Sequence, residues 1–218
     1  QLPTVSVLTT VYNRALFLAE CIESVQQSKF KDYEHIIVDD GSSDDSVAIA
    51  KRYAVEDPKI KVFVNEKNLG DYPNRNQAAK HATGKYLKYL DADDAHGEWT
   101  TTIMVDAMEQ NPQAQIGIVE FQPICHTLPT WLSPEEAFIA YYNKERYFFD
   151  ASPINVIMTR KAFQEAGGFT GKRMVGDFEM WQTMAAKHGV LMIPNGLSFY
   201  RKHDDQESIA ARAVLWWN

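Results

Sequence analysis

Asp91-Ala92-Asp93-Asp94 is the segment of this chain best equipped for chemistry. Three carboxylates within four residues repel one another unless a cation lies among them. Hard divalent ions such as Mn2+ and Mg2+ favour these oxygen ligands and commonly share them with the phosphates of a substrate. The same residues also suit an Asp-rich turn whose last member caps a following helix, so the cluster alone leaves both uses open. The run ahead of it, Lys85-Tyr86-Leu87-Lys88-Tyr89-Leu90, is too apolar and aromatic for a solvated loop. It reads as a strand that delivers the acids to the end of a sheet.

Three further polar clusters close strand-like runs in the same way. Thr9-Thr10-Val11-Tyr12-Asn13-Arg14 ends the run that opens at Val5, Asp39-Asp40-Gly41-Ser42-Ser43-Asp44 follows residues 34–38, and the segment from Asn65 to Gly70 follows residues 61–64. Helical periodicity separates them over residues 15–28, 45–55 and 72–82. This β-α-β-α-β-α-β order predicts an α/β fold with a Rossmann-like, mostly parallel sheet flanked by helices. Ligands of such sheets bind outside the carboxyl ends of the strands, where chain order reverses. All four clusters then share one edge, which is more than turn chemistry alone accounts for. Next come a helix over 98–110 and a strand over 116–121, after which the pattern loosens. Helical patterning returns near 134–143, 161–166 and 177–188, with strands near 155–159 and 190–200. With no internal repeats, residues 1–218 read as one domain with a less regular C-terminal part.

Composition narrows the function class. The chain has 218 residues, 45% of them hydrophobic and 23% charged, in the range of a soluble globular protein. Its 22 basic and 29 acidic residues give a net charge of −7 with no basic stripe, which argues against nucleic acid as a partner. Cys21 and Cys125 are too few for a disulfide framework, and Cys21 shares a helical face with Leu18, Ile22 and Val25 as a buried free thiol would. A reducing, cytoplasmic setting fits, with peripheral association at the inner membrane face as an alternative. No run of 18 apolar residues and no signal peptide is present. Gln1 at the start and Trp216-Trp217-Asn218 at the end suggest a trimmed or excised piece. The paired tryptophans suit a truncated helix, a subunit contact or an interfacial anchor.

With these motifs in order, Thr10 to Arg14, Val38 to Asp44, Asn68-Leu69-Gly70 with Arg75-Asn76, and Leu90 to Asp94, the chain resembles inverting glycosyltransferases of family 2 from about residue 4 to residue 208. The resemblance implies the GT-A fold, with residues 1–110 binding a nucleotide-sugar donor and residues 111–218 carrying the acceptor site and the catalytic base. It implies a base pocket with Thr10 and Tyr12, nucleotide contacts from Arg14, Asp40 and Ala92, and an Asp39 that accepts a hydrogen bond from the imide N–H of uracil. Arg75 would reach the base or the diphosphate, although an outward-facing helix arginine is an equal reading. Asp91 would lie near the ribose or the metal shell and Asp93 on a Mn2+ or Mg2+ ion. Whether Asp93 or Asp94 meets the ion directly stays open.

In Gly176-Asp177-Phe178-Glu179-Met180-Trp181, Asp177 falls where the family carries its general base, whereas Gly176 replaces the family's usual Glu. A helix N-cap is the plain structural use of Asp177, and Glu179 is the alternative base. His203, in Tyr200-Arg201-Lys202-His203, matches a family histidine near the metal or diphosphate, with a structural role as its counterpart. The implied reaction is metal-dependent, inverting transfer from a nucleotide-diphosphate sugar, a UDP-sugar by preference, to a hydroxyl of a saccharide or lipid-linked saccharide, as in polysaccharide or glycoconjugate synthesis. The aromatics between 122 and 150 would serve acceptor stacking, sheet cover or a homodimer contact. The competing readings are a sugar-1-phosphate nucleotidyltransferase, for which residues 9–14 lack the needed glycines, and a non-catalytic nucleotide-sugar-binding module.

Overall fold

In the computed structural model of the protein, the described residues are 2–120, 128–194 and 198–199. The apolar runs of the first half form β1 (Val5–Val11), β2 (Tyr33–Asp39), β3 (Ile60–Val64) and β4 (Tyr86–Tyr89). Helices α1 (Ala15–Gln26), α2 (Ser46–Glu56) and α3 (Asp71–His81) connect them. The chain continues through β5 (Ala95–His96), α4 (Thr100–Gln110), β6 (Ile116–Val119), β7 (Thr130–Leu132), α5 (Pro134–Tyr142), β8 (Val156–Thr159), α6 (Arg160–Glu165), α7 (Gly176–His188), β9 (Val190–Ile193) and β10 (Ser198–Phe199).

Eight strands form one sheet in the order β3-β2-β1-β4-β8-β6-β9-β7. The four strands of the first half are all parallel to their neighbours among themselves. Beyond β4 the sheet is mixed: β8 runs antiparallel to β4 and β6, β6 is parallel to β9, and β7 is antiparallel to β9. Chain order reverses at β1, where β2 lies on one side and β4 on the other, so the crevice such a switch opens lies beyond the ends of β1 and β4. No helix starts directly behind the Asp cluster. The two-residue β5 intervenes, pairs with β10, and α4 begins only at Thr100.

The sheet buries both faces, which is why its strands read as near-continuous apolar runs. On one face Leu8, Ile36, Val38, Leu87 and Tyr89 pack against α3, α6 and α7. Trp181 of α7 is fully buried there and its indole N–H donates to the Ala151 carbonyl at 2.8 Å. On the other face Val5, Val7, Tyr86 and Leu90 meet Cys21 and Val25 of α1 and Met104 and Met108 of α4. Cys21 is a free buried thiol, as its helical face implied. Among the described residues no helix is long and apolar enough to cross a membrane.

Candidate functional site

The loops after β1 and β2 are stitched together by short polar side chains. The backbone N–H of Asn13 donates to Ser42 Oγ at 2.9 Å, and the N–H of Ser43 donates back to Asn13 Oδ1 at 2.8 Å. The N–H of Arg14 donates to Ser46 Oγ and that of Ala15 to Asp44 Oδ2, each at 3.0 Å. Asn13 adopts φ +52° to make this turn, a conformation Asn tolerates better than most residues. Asp39 accepts at Oδ1 from the N–H groups of Gly41 and Ser42, and at Oδ2 from the Ser42 hydroxyl, so the loop pins its own carboxylate.

Asp40 is buried, and it accepts from Asn65 Nδ2 (2.8 Å) and from the N–H groups of Leu69 and Gly70 (2.9 Å each), which ties it to the 65–70 loop. The methyl of Ala92 packs with Val11, Leu18 and Ile22 beneath the edge. Thr10 is partly exposed and Tyr12 half exposed at the same edge.

The repulsion among the three acids is relieved by guanidinium groups of the chain itself. Arg14 Nε donates to Asp93 Oδ2 at 2.9 Å, bridging the ends of β1 and β4 across the switch point. Arg75 does not point outward. It is buried, its Nε donates to Asp71 Oδ1 at 2.9 Å, and its Nη1 lies 2.8 Å from Asp91 Oδ1 as an ion pair without hydrogen-bond alignment. Burial raises the Asp91 pKa above the ordinary carboxylate value, against the lowering pull of Arg75. Asp94 is buried rather than capping a helix, and Asp93 keeps partial exposure. Beneath them lies Lys88, wholly buried, with Nζ donating to the carbonyls of Tyr89 and Ile154; burial brings its pKa down to about 7 despite Asp91 and Asp94.

Among the described residues no three His, Cys, Asp or Glu side chains converge as a preformed metal site, and His203 lies outside those residues. The donor set nonetheless fits a hard divalent ion of the kind that takes one or two carboxylates and completes its shell with substrate phosphates and water.

The second half contributes Asp177, which sits within the first turn of α7 rather than at its cap, the cap being Val175. Its Oδ1 accepts from the Phe178 N–H at 2.8 Å and from the Tyr72 hydroxyl of α3 at 3.1 Å. Burial raises its pKa, and these donors together with nearby Arg75 only partly offset that. Glu179 lies in the opposite environment. The Lys172 ammonium and the Thr170 hydroxyl bind its carboxylate and hold its pKa below the ordinary value. Two acids two residues apart are thus separated in basicity, and the raised one is the better proton acceptor near neutral pH.

The aromatic segment divides. Phe148 and Phe149 are core, packed with Tyr141 and with Phe178 of α7, while Tyr142 and Tyr147 are exposed; Gln122 to Thr127 lie outside the described residues. Sequence reasoning missed Tyr72, Lys88 and the partly buried Arg146–Glu120 pair (3.1 Å) at the end of β6. Only Lys88 left a signal, a lysine at an inward position of an otherwise apolar strand.

The profile described as "Glycosyl transferase family 2" matches residues 6–179. Among curated relatives, the GalNAc(5)-diNAcBac-PP-undecaprenol beta-1,3-glucosyltransferase of Campylobacter jejuni is 36% identical over 94 residues, 43% of this chain and 30% of that protein. The uncharacterized glycosyltransferase EpsJ of Bacillus subtilis is 34% identical over 116 residues, 53% of this chain and 33% of its own. The matched stretch therefore spans about a third of those relatives. Among solved structures, S. aureus TarS 1-349 in complex with UDP-GlcNAc superposes with a TM-score of 0.76 at 18% identity, covering 95% of this chain and 61% of that one. The mannosyltransferase PcManGT from Pyrobaculum calidifontis, in complex with GDP-Man and Mn2+, gives 0.73 at 18% identity, covering 100% and 60%. At such identity the likeness is one of fold.

Proposed function

The chain belongs to glycosyl transferase family 2 and has the GT-A fold, and on that premise we propose that it transfers a sugar from a nucleotide-diphosphate donor, a UDP-sugar by preference, to a saccharide hydroxyl with inversion. The observation that carries this reading is the paired charge at the switch point, Asp93 with Arg14 and Asp91 with Arg75, with Asp177 of the second half tied through Tyr72 to the helix that carries Arg75.

The donor would bind in residues 1–110, with its base beside Thr10 and Tyr12. Asp39 retains acceptor capacity on Oδ2 for an imide N–H, the feature that separates uracil from cytosine. Arg14 and Arg75 would exchange their carboxylate partners in part for the diphosphate, which they neutralise in a crevice already lined by low-dielectric sheet. Asp93, with Asp91 beside it and His203 as a further candidate ligand, would hold a divalent ion, whose chemistry when bound is to stabilise charge on the departing diphosphate. Asp177 would take the acceptor proton as the acceptor oxygen forms its bond to the anomeric carbon. The bond from that carbon to the diphosphate oxygen breaks on the opposite face, and the nucleoside diphosphate leaves with the electron pair. The complexes of TarS with UDP-GlcNAc and of PcManGT with GDP-Man and Mn2+ support a nucleotide-sugar donor and a metal. The name of the Campylobacter relative supports a lipid-linked saccharide as the acceptor class.

Calorimetric binding of UDP, GDP and CDP, with and without Mn2+, to the wild type and Asp93→Ala tests the donor site. Binding of UDP that needs both Mn2+ and Asp93 is expected, and a screen of UDP-sugars against saccharide acceptors then identifies the substrates. UDP binding indifferent to both would overturn the assignment of the Asp cluster.

A further inference from the structure

A Cβ added at Gly176 would lie 2.7 Å from Cε2 and 2.8 Å from Cζ of Tyr72. Atoms do not approach that closely without displacement, so the ring of Tyr72 occupies the volume a side chain at 176 would need. Tyr72 is buried, and its ring packs on Phe169 with centroids 5.2 Å apart, so it stays against Gly176 unless a clash displaces it. Its hydroxyl donates to Asp177 Oδ1 across 105 residues of sequence. We infer that Tyr72 is a positioning residue for the acceptor-side base: from the space vacated at Gly176 it ties down Asp177 Oδ1 and leaves Oδ2 to take the acceptor proton. This inference rests on Asp177 being the base.

Three features make this more than a packing contact. Oδ1 receives both Tyr72 and the Phe178 N–H, so the two oxygens are made inequivalent and the plane of the carboxylate is fixed. Tyr72 stands one turn before Arg75 on the same helix, so a single rigid element sets Asp177 against Asp91. The hydroxyl also donates to the charged form of the acid and thereby holds its basicity down, opposing burial. Among the described residues, the charged and titratable groups that face Asp177 are Tyr72 and Arg75 from α3, with Asp71 beside them, while Glu179 on its own helix is engaged by Lys172 and Thr170.

The test is a carboxyl 13C titration of aspartate-labelled protein, with Asp177→Asn assigning the resonance. Tyr72→Phe keeps the ring and removes the donor, and the Asp177 midpoint should rise by about one pH unit. In the transfer assay the acidic limb of kcat should move upward equally, with KM for the donor unchanged. An unmoved or lowered midpoint in a folded Tyr72→Phe protein would overturn the inference. If that variant does not fold, Gly176→Ala decides instead: its added methyl must push the ring off Asp177 and raise the midpoint, and an unmoved midpoint overturns the inference. Full transfer by Asp177→Asn would sink the base assignment while leaving the midpoint result intact, so the two failures are separable.

Discussion

At the residue scale, the choice between two acids two positions apart is made by their surroundings rather than by their chemistry. Asp177 is partly buried and its pKa is raised, whereas Glu179 is bound by an ammonium and a hydroxyl and its pKa is lowered. Asp177→Asn should therefore reduce kcat by about 100-fold or more while leaving the affinity for UDP unchanged. Glu179→Gln should leave kcat within a few-fold, and a larger loss there would move the base to Glu179. With Asp177 as the proposed base, required in its ionised form and with its pKa raised, the rate should fall on acidification at a pH above the ordinary carboxylate range. The acids of the first half were readable because each sits at a strand end whose apolar run announces it. Their partners were not, since Arg14–Asp93 is 79 residues apart and Tyr72–Asp177 is 105, and no local pattern encodes such pairs.

At the element scale, α3 does more than bridge two strands. Its short polar sequence offers almost no apolar face, and its side chains are committed instead to neighbours. Tyr72 reaches Asp177, Arg75 reaches Asp91, Asn74 donates to the Val38 carbonyl and accepts from Asn65, and Asn76 bonds both the N–H and the carbonyl of Phe169. The helix is entered through Gly70 at φ +91°, ψ 169°, a region essentially restricted to glycine, with its N–H on Asp40. Gly70→Ala should cost about 1–3 kcal/mol in urea unfolding, and a cost near zero would mean that the loop relaxes freely. The helices and strands of the first half were legible to within a residue or two because each is long enough to show its period. The three-residue β7 and two-residue β5 are too short for that, and the antiparallel entry of β8 between β4 and β6 is a matter of long-range pairing on which periodicity is silent.

At the scale of the whole molecule, the site edge is supported by polar groups buried beneath the sheet. His35 is wholly buried beside Thr9 at 2.9 Å, its pKa pushed down to about 3 by burial. His96 is buried with neither ring nitrogen hydrogen-bonded among the described residues, and burial also takes its pKa well below 6.5. For both groups the folded value lies below the unfolded one, so the unfolded chain takes up the proton first. Their contribution to stability is whole above about pH 6.5 and is lost as the pH falls toward 3. His96→Phe should remove part of that loss and stabilise the protein at neutral pH by about 1 kcal/mol, since the phenyl ring leaves no polar atom unsatisfied. Melting curves between pH 4 and 7 would check both expectations, and an unchanged slope in the variant would exclude His96 from the acid response.

The tyrosine that fills the hollow at Gly176 also limits how this protein can exchange parts with its relatives. A graft that brings in a glutamate-bearing version of the 170–188 segment would collide with a ring supplied by the opposite half of the chain. A graft of the 70–76 segment into such a relative would meet the reciprocal collision. The two stretches, a hundred residues apart, form one interlocking joint, and recombination can preserve the joint only by carrying both of its sides together.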